Sequence, residues 1–195
     1  MLKLHYTVGA AFLAVAALAA SRGLELRRAG HEPTPFPTSG VLPGGTGTEW
    51  FQTVRPFCNA VEVEVAMAQY PPPADRSGAG HAAACYALAG KIDRAREYLL
   101  RIDAAERWQA AGIVFEIAHP IADMGDDRSA GPIMELVVEF WPNHYMALYH
   151  AGAAAYGLER WEAARTYLKA FRRVYEINDG WGNTAAEMLR SLDGR

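Results

Sequence analysis

Two cysteines in 195 residues, Cys58 and Cys85, are too few for a disulfide framework or a four-thiolate zinc site. Basic excess is missing as well. Nineteen Lys and Arg stand against 22 Asp and Glu, a formal net charge of -3, which excludes the electrostatic footprint of a nucleic-acid binder. With 51% apolar residues the chain is equally far from an intrinsically disordered one. β-Branched residues are scarce outside two short runs, whereas alanine is abundant and charges recur three or four positions apart; that balance points to an all-α fold. No nucleophile elbow, catalytic carboxylate pair, haem-attachment Cys-x-x-Cys-His motif or basic-aromatic strip occurs. No catalytic residue and no cofactor are therefore expected.

Formal charge is also absent from residues 4–21, "LHYTVGAAFLAVAALAAS", with His5 taken as neutral. As a helix this run reaches roughly 27 Å, close to the hydrocarbon core of about 30 Å. Ala17-Leu18-Ala19 would serve as a small-x-small cleavage site in a signal peptide, and no cysteine follows to carry a lipid. Residues 1–22 are thus expected to be an N-terminal transmembrane anchor or signal segment, with the anchor taken as the working reading. Arg22, Arg27 and Arg28 behind the span favour a cytoplasmic body, while the signal-like architecture favours export. The expectation is a body on the extracytoplasmic, periplasmic side. Residues 29–48 hold four prolines and five glycines, so 23–48 are expected to form a linker. Its "GGTGT" lacks the Gly-Lys-Ser/Thr ending of a phosphate loop and follows no predicted strand.

The remaining 49–193 repeat themselves. Thirty-five residues after Ala95, in "KIDRAREYLL", stands Ala130 in "DDRSAGPIMELVVEFWPN", and 34 further stands Ala164 in "ERWEAARTYLKAF". Four positions after each alanine comes Leu99, Met134 or Leu168, and seven after it Ile102, Val137 or Phe171. A second apolar helix precedes each: "GHAAACYALAG", "GIVFEIAHPIADMG" and "YMALYHAGAAAYGL". A period of about 34 with a small residue at the helix crossing resembles the tetratricopeptide repeat (TPR) family, over roughly residues 76–178. The family's first-helix pattern falls on Leu148, Ala151, Gly152 and Ala155, on Val114, Ile117, Ala118 and Ile121, and on Ala79, Ala82, Ala83 and Tyr86. Its closing proline matches Pro142. The resemblance implies an α-solenoid of stacked helix pairs.

"VEVEV", residues 61–65, alternates as a half-buried strand would, yet no second strand is at hand to pair with it. Ala60 lies 35 before Ala95, so 49–70 are expected to be one helix, a degenerate cap, although Glu64 then takes a normally apolar position. "GWGNTAAEMLRSL" is expected to cover the other end, as terminal repeat units require.

His119 and Asp123 stand four apart, followed by Asp126 and Asp127, a set from which a metal site could be drawn. A helix end explains them more simply: Gly125 closes one helix and the acids favour the start of the next. Pro120, inside a repeat helix, should kink or shorten it by freeing the carbonyl of Glu116, with no functional role. Cys58 and Cys85 fall on neighbouring antiparallel helices at heights roughly 7 to 8 Å apart. Two buried thiols are expected, because a bond would need the helices to stagger.

In the family, the first helix of each unit lines the concave face, and the resemblance puts Phe115, His119, Met146, Tyr149, Ala153 and Tyr156 there. The inner helices carry no Lys or Arg over 78–90, 112–125 or 145–158, which argues against the family's carboxylate clamp. Aromatic and small residues suit an apolar peptide or helix instead, unless the C-terminal helix fills the groove. The expected function is a non-enzymatic, membrane-tethered scaffold that docks on and stabilises a larger membrane protein complex, of energy-converting, secretion or envelope type. Its partners would be protein subunits and, through residues 4–21, the membrane, with no nucleic acid. A soluble exported periplasmic adaptor or assembly chaperone with a cleaved signal is the alternative.

Overall fold

The computed structural model describes residues 45–194, and among these the fold is all-α, with nine α-helices and no strand. The expected anchor at 1–22 and the expected linker as far as residue 44 lie outside the described residues. Among the described residues no helix is long and apolar enough to cross a membrane.

Helix α1 (Gly47–Val54) begins two residues before the expected start of the body. Thr46 and Glu49 form a capping box: the Glu49 amide donates to Thr46 Oγ1 at 3.3 Å, and the Thr46 amide donates to Glu49 Oε2 at 2.8 Å. The "GGTGT" run therefore ends as a helix cap. The single helix expected over 49–70 does not form. Pro56 cannot continue the i→i−4 ladder, so α1 stops before it and the chain passes through a 3₁₀ turn, Arg55–Phe57. Asn59 then organises the next turn, its Oδ1 accepting from the amides of Val61 and Glu62, and α2 runs Val63–Gln69. The alternating valines are not a strand: Val63 is fully buried, whereas Val61 and Val65 are 85% and 47% exposed. Ala60, aligned by period with the crossing alanines, is exposed. Glu64 tolerates its place because its carboxylate accepts from Tyr86 Oη and Lys91 Nζ, each at 3.0 Å.

Three helix pairs follow: α3 (Arg76–Leu88) with α4 (Ile92–Leu100), α5 (Arg107–Asp123) with α6 (Asp127–Phe140), and α7 (Tyr145–Gly157) with α8 (Trp161–Val174). Helix α9 (Gly180–Asp193) closes the series on α7 and α8. Each pair is joined by a three-residue turn whose middle residue has positive φ: Gly90 at 73°, Gly125 at 77° and Glu159 at 60°. The amide after each of these bonds back five residues, Lys91 to Tyr86, Asp126 to Ile121 and Arg160 to Ala155. That is the Schellman closure of a helix C-terminus, made three times at the spacing of the repeat. Ala95, Ala130 and Ala164 are at most 1% exposed, and Leu99, Met134 and Leu168, one turn on, are fully buried. Gly152 shows how near the helices come: a Cβ there would lie 2.8 Å from Leu168 Cγ.

The expected free thiols are also corrected. Cys58 and Cys85 form a disulfide, with Cα atoms 4.8 Å apart. Height counted along one continuous helix does not apply, since Cys58 lies in the turn after Pro56 and is free to approach α3. Nor is α5 shortened by Pro120. The helix runs on to Asp123, because one hydrogen bond is lost in its last turn while Val114, Phe115 and Ala118 remain buried.

Candidate functional site

Helices α5 and α7 bring together two imidazoles and a carboxylate. His119 and Asp123 are one turn apart on α5, with Nε2 to Oδ1 at 3.4 Å, and His150 of α7 places its Nε2 3.6 Å from the same oxygen. One ligand atom from each residue lies within 4.8 Å of the others. His150 is only 6% exposed, and the Nε2 atoms of both histidines are buried without a hydrogen-bond partner. Burial, reinforced by His119, pushes the His150 imidazole down to about 4 against the opposing pull of Asp123. It is neutral at physiological pH. His144 is also held below its ordinary value, chiefly by burial, and its Nδ1 accepts from the Ala147 amide at 3.2 Å as the cap of α7.

Aromatic rings surround the cluster. Phe115 stacks on His119 at 4.6 Å and meets His144 at 4.1 Å. Trp141 stands edge-on to His144 at 4.4 Å and to Trp108 at 5.0 Å. On the far side, Trp181 of α9 is edge-on to Tyr149 at 4.8 Å and to His150 at 5.8 Å, and Tyr145 stacks on Tyr175 at 5.1 Å. Phe115 and Tyr149 are buried and Trp141, His144 and Tyr175 half-buried, whereas Trp108, Tyr145 and Trp181 are 43%, 44% and 38% exposed. Each is the first or second residue of α5, α7 or α9, so the exposed rings mark the same end of three alternate helices.

Five of the six residues expected on the inner face divide between two surroundings. Phe115 and His119 join the histidine cluster. Tyr149 is 8% exposed and enclosed by Phe171, His150 and Trp181. Ala153 and Tyr156 pack on a core that includes Ala185 and Leu192 of α9, and Tyr156 Oη donates to Ser191 Oγ at 2.9 Å. The C-terminal helix thus takes up these three. Met146 is half-buried on α7.

Of the acids weighed from sequence, Asp126 is a cap, its carboxylate accepting from the Ser129 amide at 3.2 Å, and Gly125 closes α5 in the left-handed region. The helix-end explanation fits Asp126 but not Asp123. His150 was missed because it is 31 residues from His119, no ligand-motif spacing. Its signal lay in the period: subtracting 34 aligns it with Glu116, one turn before His119, a diagonal neighbour once first helices lie side by side. No protein-family model, curated protein or solved structure matches this chain.

Proposed function

We propose that the protein is a membrane-tethered scaffold of tetratricopeptide-like helix pairs, working on the extracytoplasmic side and docking on a larger membrane complex. The observation that carries the docking is the row of half-exposed rings, Trp108, Tyr145 and Trp181, at one end of three alternate helices. Aromatic side chains left partly in water along one edge are the groups that interfaces bury and draw affinity from. The side of the membrane is supported by the Cys58–Cys85 disulfide, a bond that persists in oxidising compartments and is rare in a reducing cytosol. Residues 4–21 supply the apolar segment for the anchor, and 29–44 a Pro/Gly-rich tether able to contribute contacts of its own.

The test is extraction in mild detergent and identification of co-purifying membrane subunits. Three forms are compared: the native chain, a Trp108→Ala/Tyr145→Ala variant, and a chain lacking 29–44. Loss of the same subunits from the double variant, with its melting temperature kept within a few degrees, supports docking through the rings. Loss only on deleting 29–44 moves the contact to the tether. Co-purification unchanged in both defeats the scaffold reading. Intact mass separates the anchored form from the soluble adaptor, which would be cleaved after Ala19.

A further inference from the structure

We propose that His119, Asp123 and His150 form a binding site for a divalent first-row transition metal ion, best matched by zinc, which ties α5 to α7. In tetrahedral zinc sites the bonds are about 2.0–2.1 Å, so adjacent ligand atoms stand about 3.3–3.4 Å apart. The His119–Asp123 and His150–Asp123 pairs, at 3.4 and 3.6 Å, already have that spacing. With all three donors within 4.8 Å of one another, the imidazoles need to close by at most about 1.4 Å.

Burial is the second, independent observation. Both Nε2 atoms are shut away from water with no hydrogen-bond partner, and His150 is more than nine-tenths buried. Neither tautomer resolves this. With the protons on Nδ1, two nitrogen lone pairs face one carboxylate oxygen. With them on Nε2, the N–H groups stand at 3.4 and 3.6 Å, longer than a good N–H···O bond. A cation bonded to all three donors satisfies each at once.

The donor set chooses the metal. Two imidazole nitrogens and one carboxylate oxygen suit zinc and its neighbours, whereas calcium and magnesium take all-oxygen shells. Phe115 against His119, and Tyr149 and Trp181 against His150, hold the ring planes and form an apolar wall. Asp123, 49% exposed at its side chain, leaves the cluster open on one side, so a water can complete a fourth position. The site stands whether or not the protein is a scaffold.

The experiment uses the untagged full-length protein in mild detergent, stripped with a chelator and titrated with Zn²⁺ against a chromophoric competitor. A parallel titration with Co²⁺ reads visible ligand-field bands. One equivalent of Zn²⁺, a raised melting temperature and a tetrahedral Co²⁺ spectrum are expected. Asp123→Asn and His150→Gln should each weaken Zn²⁺ by at least about tenfold, the lower bound for changes to groups that merely orient a ligand, and abolish the thermal shift. A native chain that takes up no Zn²⁺ overturns the proposal, as do two variants that bind like the native chain. Should His150→Gln lose its helicity, the half-exposed Asp123→Asn decides alone.

Discussion

Glu159 carries the backbone strain of its turn without the residue that would relieve it. It holds φ at 60°, while the two equivalent turns use Gly90 and Gly125. The left-handed region costs a residue with a Cβ roughly 1–2 kcal/mol, part of which glycine returns through the freedom of its unfolded chain. Glu159→Gly is therefore expected to stabilise the protein by about 0.5–1 kcal/mol in chemical denaturation. Gly90→Ala, imposing the same strain where nothing crowds the added Cβ, should destabilise by a similar amount. Tyr86 yields a second expectation. Burial first, then its bond to Glu64, pushes its phenol from 10.0 up to about 12. A group raised on folding contributes stability in full below its unfolded value, and that contribution is lost as pH climbs from about 10 to about 12. Tyr86→Phe should flatten this alkaline flank, and phenolate absorbance should show one tyrosine in the native protein ionising last.

At the scale of elements, what the chain reveals locally was legible and what depends on a break was not. Small residues at helix crossings recur with the repeat and need no knowledge of the partner, so Ala95, Ala130 and Ala164 could be named from sequence and are buried. The same period misplaced Ala60, because Pro56 interrupts the helix that the alignment assumed, and with it the pairing of Cys58 went unseen. The histidine cluster was half legible: His119 and Asp123 share one helix, while His150 arrives only through the packing of α5 beside α7. The disulfide has a measurable consequence for the first elements. It closes a loop of 27 residues, worth about 3–4 kcal/mol if its effect is on the unfolded chain. Reduction, or the Cys58→Ala/Cys85→Ala pair, should lower stability by that order, read as a shift of the unfolding midpoint. Hydrogen exchange should rise most in α1 and α2, which the bond ties to α3.

At the scale of the whole molecule, the described residues bury their own apolar faces at both ends. Trp50, Phe51, Val54 and Val63 of α1 and α2 are buried at one terminus of the series, and Ala185 and Leu192 of α9 at the other. Trp50 also donates its indole N–H to the Tyr70 carbonyl at 2.9 Å, so the first two helices are bonded to each other as well as packed. A body whose first and last helices are packed in this way should not depend on residues 1–22 for its fold. Removing those residues is expected to move the protein from the membrane to the supernatant in high-speed fractionation. The far-ultraviolet helicity of the truncated body should remain high, and its unfolding should stay a single transition, provided the disulfide forms. If the truncated chain instead precipitates or loses helicity under oxidising conditions, the apolar N-terminal segment belongs with the core of the body, and the anchor assignment falls with it.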